Sequence, residues 1–139
     1  MPKSIFRGFY ESDVFDEKVN VDGKIHTGKW IYWNEFGHMC DEDGRKTGGN
    51  VIDVAVIPCT IGEGVRGRYD GNGKQIFEGD VIKNPYILDD EECEEYLCIY
   101  YDTDLDSWMI KDLVRRCLPG MVSDLEENCE ITGTIFDVE

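Results

Sequence analysis

The residues best equipped for chemistry here are carboxylates, six thiols and two histidines, and their spacing decides what they can do. Asp102-Thr103-Asp104-Leu105-Asp106 opens like an EF-hand calcium loop, with oxygen donors at alternate positions. Ser107 then stands where that loop needs glycine, and Leu113 where it needs a bidentate glutamate. The stretch therefore reads as a polar hairpin turn between Tyr101 and Trp108. Asp70-Gly71-Asn72-Gly73 begins the same way, but Lys74 falls on a ligand position. His26 and the run His38-Met39-Cys40-Asp41 mix ligand types, yet Cys40, Cys59, Cys93, Cys98, Cys117 and Cys129 form no C-x-x-C pair. Tetrahedral zinc spacing is missing, so no metal and no cofactor is expected. A cysteine could pair with His26 or His38 as nucleophile and base, but no local signature surrounds any of them. Carboxylates are too abundant for one acid–base dyad to stand out. Gly71-x-Gly73 lacks the spacing and following helix of a phosphate loop. The expectation is a non-enzymatic protein, with a small enzyme of unknown type as an alternative.

The charge is uneven. The 139 residues carry a formal net charge of -16, with a pI near 4.3. Residues 85–139 hold 3 basic and 16 acidic residues, nearly the whole imbalance. Such a field repels phosphate backbones, so direct nucleic-acid binding is not expected. Asp89, Asp90, Glu91, Glu92, Glu94 and Glu95 flank Cys93 in one acidic run. Like-charge repulsion predicts a solvated loop over residues 84–95. The run either maintains solubility or offers a basic protein a contact surface. No apolar stretch approaches the ~20 residues of a membrane span, and Met1-Pro2-Lys3-Ser4 lacks signal-peptide character. The thiols are then expected to be reduced and the protein cytoplasmic.

These groups must be positioned by short strands. Ser4–Tyr10 is an aromatic strand candidate. Asp22-Gly23 suits a two-residue type I′ turn between Lys18–Val21 and Lys24–Thr27, and Trp30–Trp33 continues the pattern. Asn34–Asn50 collects Gly37, Gly44, Gly48 and Gly49 and reads as loop. Val51–Ile57, β-branched with only Asp53 polar, reads as the strongest strand. Tyr96–Tyr101 and Ser107–Ile110 flank the aspartate turn, and Lys111–Cys117 fits a further strand or one helical turn. Ser123 with Glu126 has capping-box spacing for a short helix over Ser123–Asn128, and Ile131–Val138 closes the chain. The result is a mainly β chain, a small open domain, with an N-terminal region over residues 1–57 and a C-terminal region over 58–139.

One stretch is more specific. In Gly67–Lys83 (GRYDGNGKQIFEGDVIK), a glycine-punctuated turn enters a strand, Gly79 interrupts it, and Val81-Ile82 resume it. Gly79 is expected at a bulge or at positive φ. Gly67, Asp70, Gly73, Lys74, Ile76, Phe77, Glu78, Gly79, Asp80, Val81 and Ile82 together resemble the signature of the YopX-like proteins of bacteriophages and prophages. Pro58-x-Thr60-x-Gly62 and Ile131-Thr132-Gly133-Thr134-Ile135-Phe136 resemble the family's flanking segments. Arg66 departs from the family's usual threonine, and one extra residue lies between Gly62 and Gly67. The resemblance covers Val51 to Lys83 and Ile131 to Asp137. It implies an SH3-like barrel in the C-terminal part, a phage origin, work in the bacterial cytoplasm and no catalytic residues. The expected function is an interaction or assembly module that forms homo-oligomers. The alternative is an acidic decoy that inhibits a host nucleic-acid-binding protein.

Overall fold

A computed structural model describes residues 5–41, 45–51, 54–113 and 120–138. The described chain is mainly β, in two antiparallel sheets that do not close into a barrel. It folds as two compact units, residues 1–67 with 136–139, and residues 68–135.

The first unit is built on one long strand. β1 (Ile5–Glu11), β2 (Glu17–Val21) and β3 (Lys24–Asn34) are antiparallel, with β1 paired along β3 from Ile5↔Asn34 to Glu11↔Gly28. β2 pairs with the first half of β3 through a turn in which Asp22 and Gly23 have φ of 52° and 83°, as the aspartate-glycine pair predicts. Phe9, Val19 and Val21 form the core, and Trp30, Ile57 and Phe136 pack against it. Phe136 is held there by its carbonyl, which accepts from Asn20 N at 2.7 Å. Gly28 is compulsory, because a Cβ there would lie 1.8 Å from the Tyr10 carbonyl oxygen.

Two expectations fail in this unit. Residues 34–50 are not all loop: β4 (His38–Cys40) pairs with β3, and β5 (Lys46–Asn50) pairs with β4. Their side chains are largely exposed, so no alternation of apolar residues announces them. Conversely, Val51–Ile57 is not a strand over its described residues. It contributes one bridge, Val56 to Tyr10, and then enters a 3-10 turn at Pro58–Thr60. β-branched composition favours extended backbone but supplies no partner. The same edge of β1 is taken at Phe6 and Arg7 by the start of β6 (Gly62–Tyr69). Asp53 lies outside the described residues.

The second unit is an open sheet. The end of β6 turns into β7 (Gln75–Phe77), followed by β8 (Asp80–Leu88), β9 (Glu91–Asp102), β10 (Ser107–Asp112), β11 (Gly120–Met121) and β12 (Glu130–Thr134). The order is β11-β10-β9-β8-β12. Opposed residues share a face, so Ile82, Leu97, Ile99 and Ile110 form one apolar surface, and all are buried.

Here the acidic loop over 84–95 is overturned. β8 and β9 are in register from Val81↔Cys98 to Leu88↔Glu91, and only Asp89 and Asp90 turn the chain. Their φ values of 52° and 63° are those of a type I′ turn. Cross-strand hydrogen bonding and the core at the hairpin's base outweigh a charge repulsion between exposed side chains that physiological salt screens beyond about 8 Å. The Ser123–Asn128 helix is also absent. A 3-10 turn spans Val122–Asp124, and Asp124, not Ser123, accepts from the backbone N–H of Met121 at 3.0 Å. Lys111 and Asp112 end β10, whereas Cys117 lies outside the described residues. The closing strand is shorter than expected, with a bulge between Ile131 and Gly133.

Candidate functional site

Asp70 organises the glycine-rich turn of the motif. Its Oδ1 accepts from Asn72 N at 2.9 Å and Lys74 N at 2.8 Å, and its Oδ2 accepts from Ile131 N at 3.1 Å. Gly73 completes the turn with φ 81°, and Gly71 N donates to Cys129 O at 2.6 Å. Gly67 has φ 71°, and Lys74 is exposed. Ile76 and Phe77 are both buried. Glu78 and Gly79 form the next turn, where Gly79 has φ 89°, the positive value expected. Asp80 is 0% exposed and its Oδ2 accepts from Phe77 N at 2.7 Å. Gly79 in turn donates to Ile99 O and accepts from Ile135 N, each at 2.9 Å. Every one of these hydrogen bonds joins the motif to its own fold.

The other chemistry-bearing residues are dispersed. Asp102 Oδ1 accepts from Asp104 N and Leu105 N, and Tyr101 OH donates to Asp106, so this turn uses its own oxygens. His26 Nδ1 contacts Glu11, whereas His38 is exposed on β4. Burial pushes the thiols of Cys40, Cys98 and Cys129 above their ordinary value, helped by Asp41 at Cys40 and by Asp70 at Cys129. At Cys98, Lys111 opposes the rise and Asp80 and Glu78 add to it. Among the described residues, no group of three or more His, Cys, Asp and Glu is placed to hold a metal ion. No described helix is long and apolar enough to cross a membrane.

What the fold does assemble is a groove of about 590 Å³ beside the acidic hairpin. β8 supplies Pro85, Tyr86 and Ile87, and β9 supplies Glu92, Cys93 and Glu94. The segment before β12 supplies Glu126 and Asn128. Buried Asn84 fixes this arrangement: its Oδ1 accepts from Glu126 N at 2.9 Å, and its Nδ2 donates to Glu95 Oε1 at 2.9 Å. Strand alternation divides the acidic run. Glu92 and Glu94 share one face with their partners Ile87 and Pro85, while Glu91 and Glu95 share the other with Leu88 and Asn84. Asp89 and Asp90 are at the tip. Lys83 Nζ lies 3.7 Å from Glu94 and 3.9 Å from Glu130. The tip also carries Ile87 at 74% and Leu88 at 56% exposure.

Sequence reasoning selected the six carboxylates but missed Pro85, Tyr86, Ile87, Glu126 and Asn128. The Ile82-Asn84-Tyr86 alternation was the available signal for β8. Nothing in the sequence joins Asn84 to Glu126 across 42 positions. No family model, curated protein or solved structure matches the chain.

Proposed function

We propose that the chain is a non-enzymatic interaction module and that the β8–β9 hairpin with its groove is the contact surface for a basic protein. The observation that carries this reading is the pairing of exposed Ile87 and Leu88 with six carboxylates on one ordered hairpin. A purely solubilising segment has no use for two large apolar side chains at its tip, whereas an interface needs apolar anchors inside a charged rim.

The YopX-like assignment, with its phage origin and bacterial cytoplasm, belongs to the same proposal and rests on the Gly67–Ile82 motif. So does an SH3-like arrangement of the C-terminal part. The β8-β9-β10 meander, the 3-10 turn at Val122–Asp124 and the return of β12 onto β8 support it. Homo-oligomerisation is proposed from the exposed edge strand β5. Light scattering that gives only a 16.0 kDa monomer at micromolar concentration overturns that part.

The module reading is tested by capture from bacterial lysate with wild type, with Asp89→Asn/Asp90→Asn/Glu91→Gln/Glu92→Gln and with Ile87→Ser. A basic protein held by wild type, lost in both variants and released as salt rises supports it. Identical capture by all three chains overturns it. Competition by duplex DNA would identify the partner as a nucleic-acid-binding protein, which is the decoy form of this reading.

A further inference from the structure

We infer that Asn72 is a site of spontaneous covalent modification and that the Asp70 turn sets how fast it reacts. Asparagine followed by glycine is the pair most open to cyclisation, because glycine has no Cβ to shield its backbone nitrogen. Asn72 is the only asparagine of the chain that precedes glycine, and it is exposed in its turn. The Gly73 nitrogen loses its proton to solvent base and attacks Asn72 Cγ. The Cγ–Nδ2 bond breaks and ammonia leaves, which closes a succinimide ring. Water then opens the ring at either carbonyl, giving an aspartyl or an isoaspartyl link at position 72.

The fold restrains this reaction at its nucleophile. Gly73 N donates to Asp70 O at 3.0 Å, and Asn72 N and Lys74 N both donate to Asp70 Oδ1. The nitrogen cannot swing onto Cγ until these bonds open, so the rate follows the population of the opened turn. The product prevents reclosure. An isoaspartyl link adds a methylene to the backbone between two donors that share one oxygen, and the new carboxylate repels that of Asp70. Asp70 Oδ2 also accepts from Ile131 N at 3.1 Å, so the change reaches β12. Opening of the turn is reversible, and the modification makes it permanent.

The experiment ages the full chain at mildly alkaline pH beside a capped peptide of residues 70–75, and maps the modified position by mass spectrometry. The chain is expected to react at Asn72 before any other asparagine, and roughly tenfold or more slowly than the peptide. Asp70→Ala should recover most of that difference. Should this variant not fold, wild type in urea below its unfolding transition replaces it, and the rate should rise before the fold is lost. The modified fraction, separated by ion exchange, should melt below the unmodified chain. Asn72→Gln should keep its melting temperature through the same ageing. Reaction of the full chain at the peptide's rate overturns the inference, because the turn then restrains nothing. So does a rate that neither Asp70→Ala nor urea changes. First reaction at another asparagine, or a modified fraction that melts like the unmodified chain, overturns it as well.

Discussion

Asp70 accepts three backbone N–H groups, two from its own turn and one from Ile131 at the start of the closing strand. Asp70 is buried but residues 71–74 are exposed, so water can take over part of what the carboxylate accepts, and Asp70→Ala is expected to cost about 1–3 kcal/mol in denaturant unfolding. An unchanged midpoint would show the turn forms without it. Gly79 makes a different demand. Its φ of 89° is a conformation that a β-branched residue rarely adopts, and Gly79→Val should cost ~1–3 kcal/mol. Both residues stood out in the sequence because aspartate and glycine at a turn have local backbone causes. Gly28 did not stand out. The reason for it is the Tyr10 carbonyl on a neighbouring strand, and a pattern within one strand cannot express that. The thiols give a third prediction at this scale. Raised pKa values keep Cys40, Cys98 and Cys129 protonated at pH 8, and protonated thiols are poor nucleophiles. Iodoacetamide mapping by mass spectrometry should show exposed Cys59 modified first, half-buried Cys98 more slowly, and buried Cys40 and Cys129 only after denaturation. Early labelling of Cys129 would contradict its burial.

At the scale of elements, the β8–β9 hairpin shows where a sequence signal misleads. Six carboxylates in a run describe the exposed side chains, whereas the pairing is decided by Ile82 and Leu97 at the base and by a turn of two residues. The true signal, alternation through Ile82, Asn84 and Tyr86, is masked by Pro85 between them, which stands beyond residues 80–83, the part of β8 that β12 pairs, where a missing N–H is tolerated. The short strands β4 and β5 were illegible for the opposite reason: they bury too little to produce a pattern. The groove inherits both difficulties, since one wall lies on the misread hairpin and the other arrives through Asn84 from a distant segment. Asp89 and Asp90 both hold the left-handed conformation, which costs a non-glycine residue about 1 kcal/mol. Asp90→Gly should therefore stabilise the hairpin by ~0.5–1 kcal/mol, read as a higher melting temperature. A lower melting temperature would mean that the Asp90 side chain itself supports the turn.

For the whole molecule, charge divides the two units more sharply than strand content does. Residues 68–135 carry 6 basic and 17 acidic residues, whereas the remainder carries 8 and 13. An acidic excess of that size works against the compact state of the second unit through self-repulsion. Added salt should relieve it, because the Debye length shrinks from ~30 Å at 0.01 M to ~8 Å at 0.15 M. The tryptophans let the two units be followed separately: Trp30 and Trp33 lie in the first, and Trp108 is the only one in the second. Comparing fluorescence melts of wild type and Trp108→Phe isolates the second unit's transition. We expect that transition to rise with salt by about 4–8 °C for each kcal/mol of repulsion removed. The transition reported by Trp30 and Trp33 should move less. Neutralising Asp89, Asp90, Glu91 and Glu92 should raise the low-salt melting point and flatten its salt dependence. A second-unit transition that falls with salt would show that attractive pairs such as Lys83 with Glu94 and Glu130 outweigh the repulsion. In that case the carboxylates of the groove would already be engaged within the chain, and the hairpin would have little left to offer a basic partner.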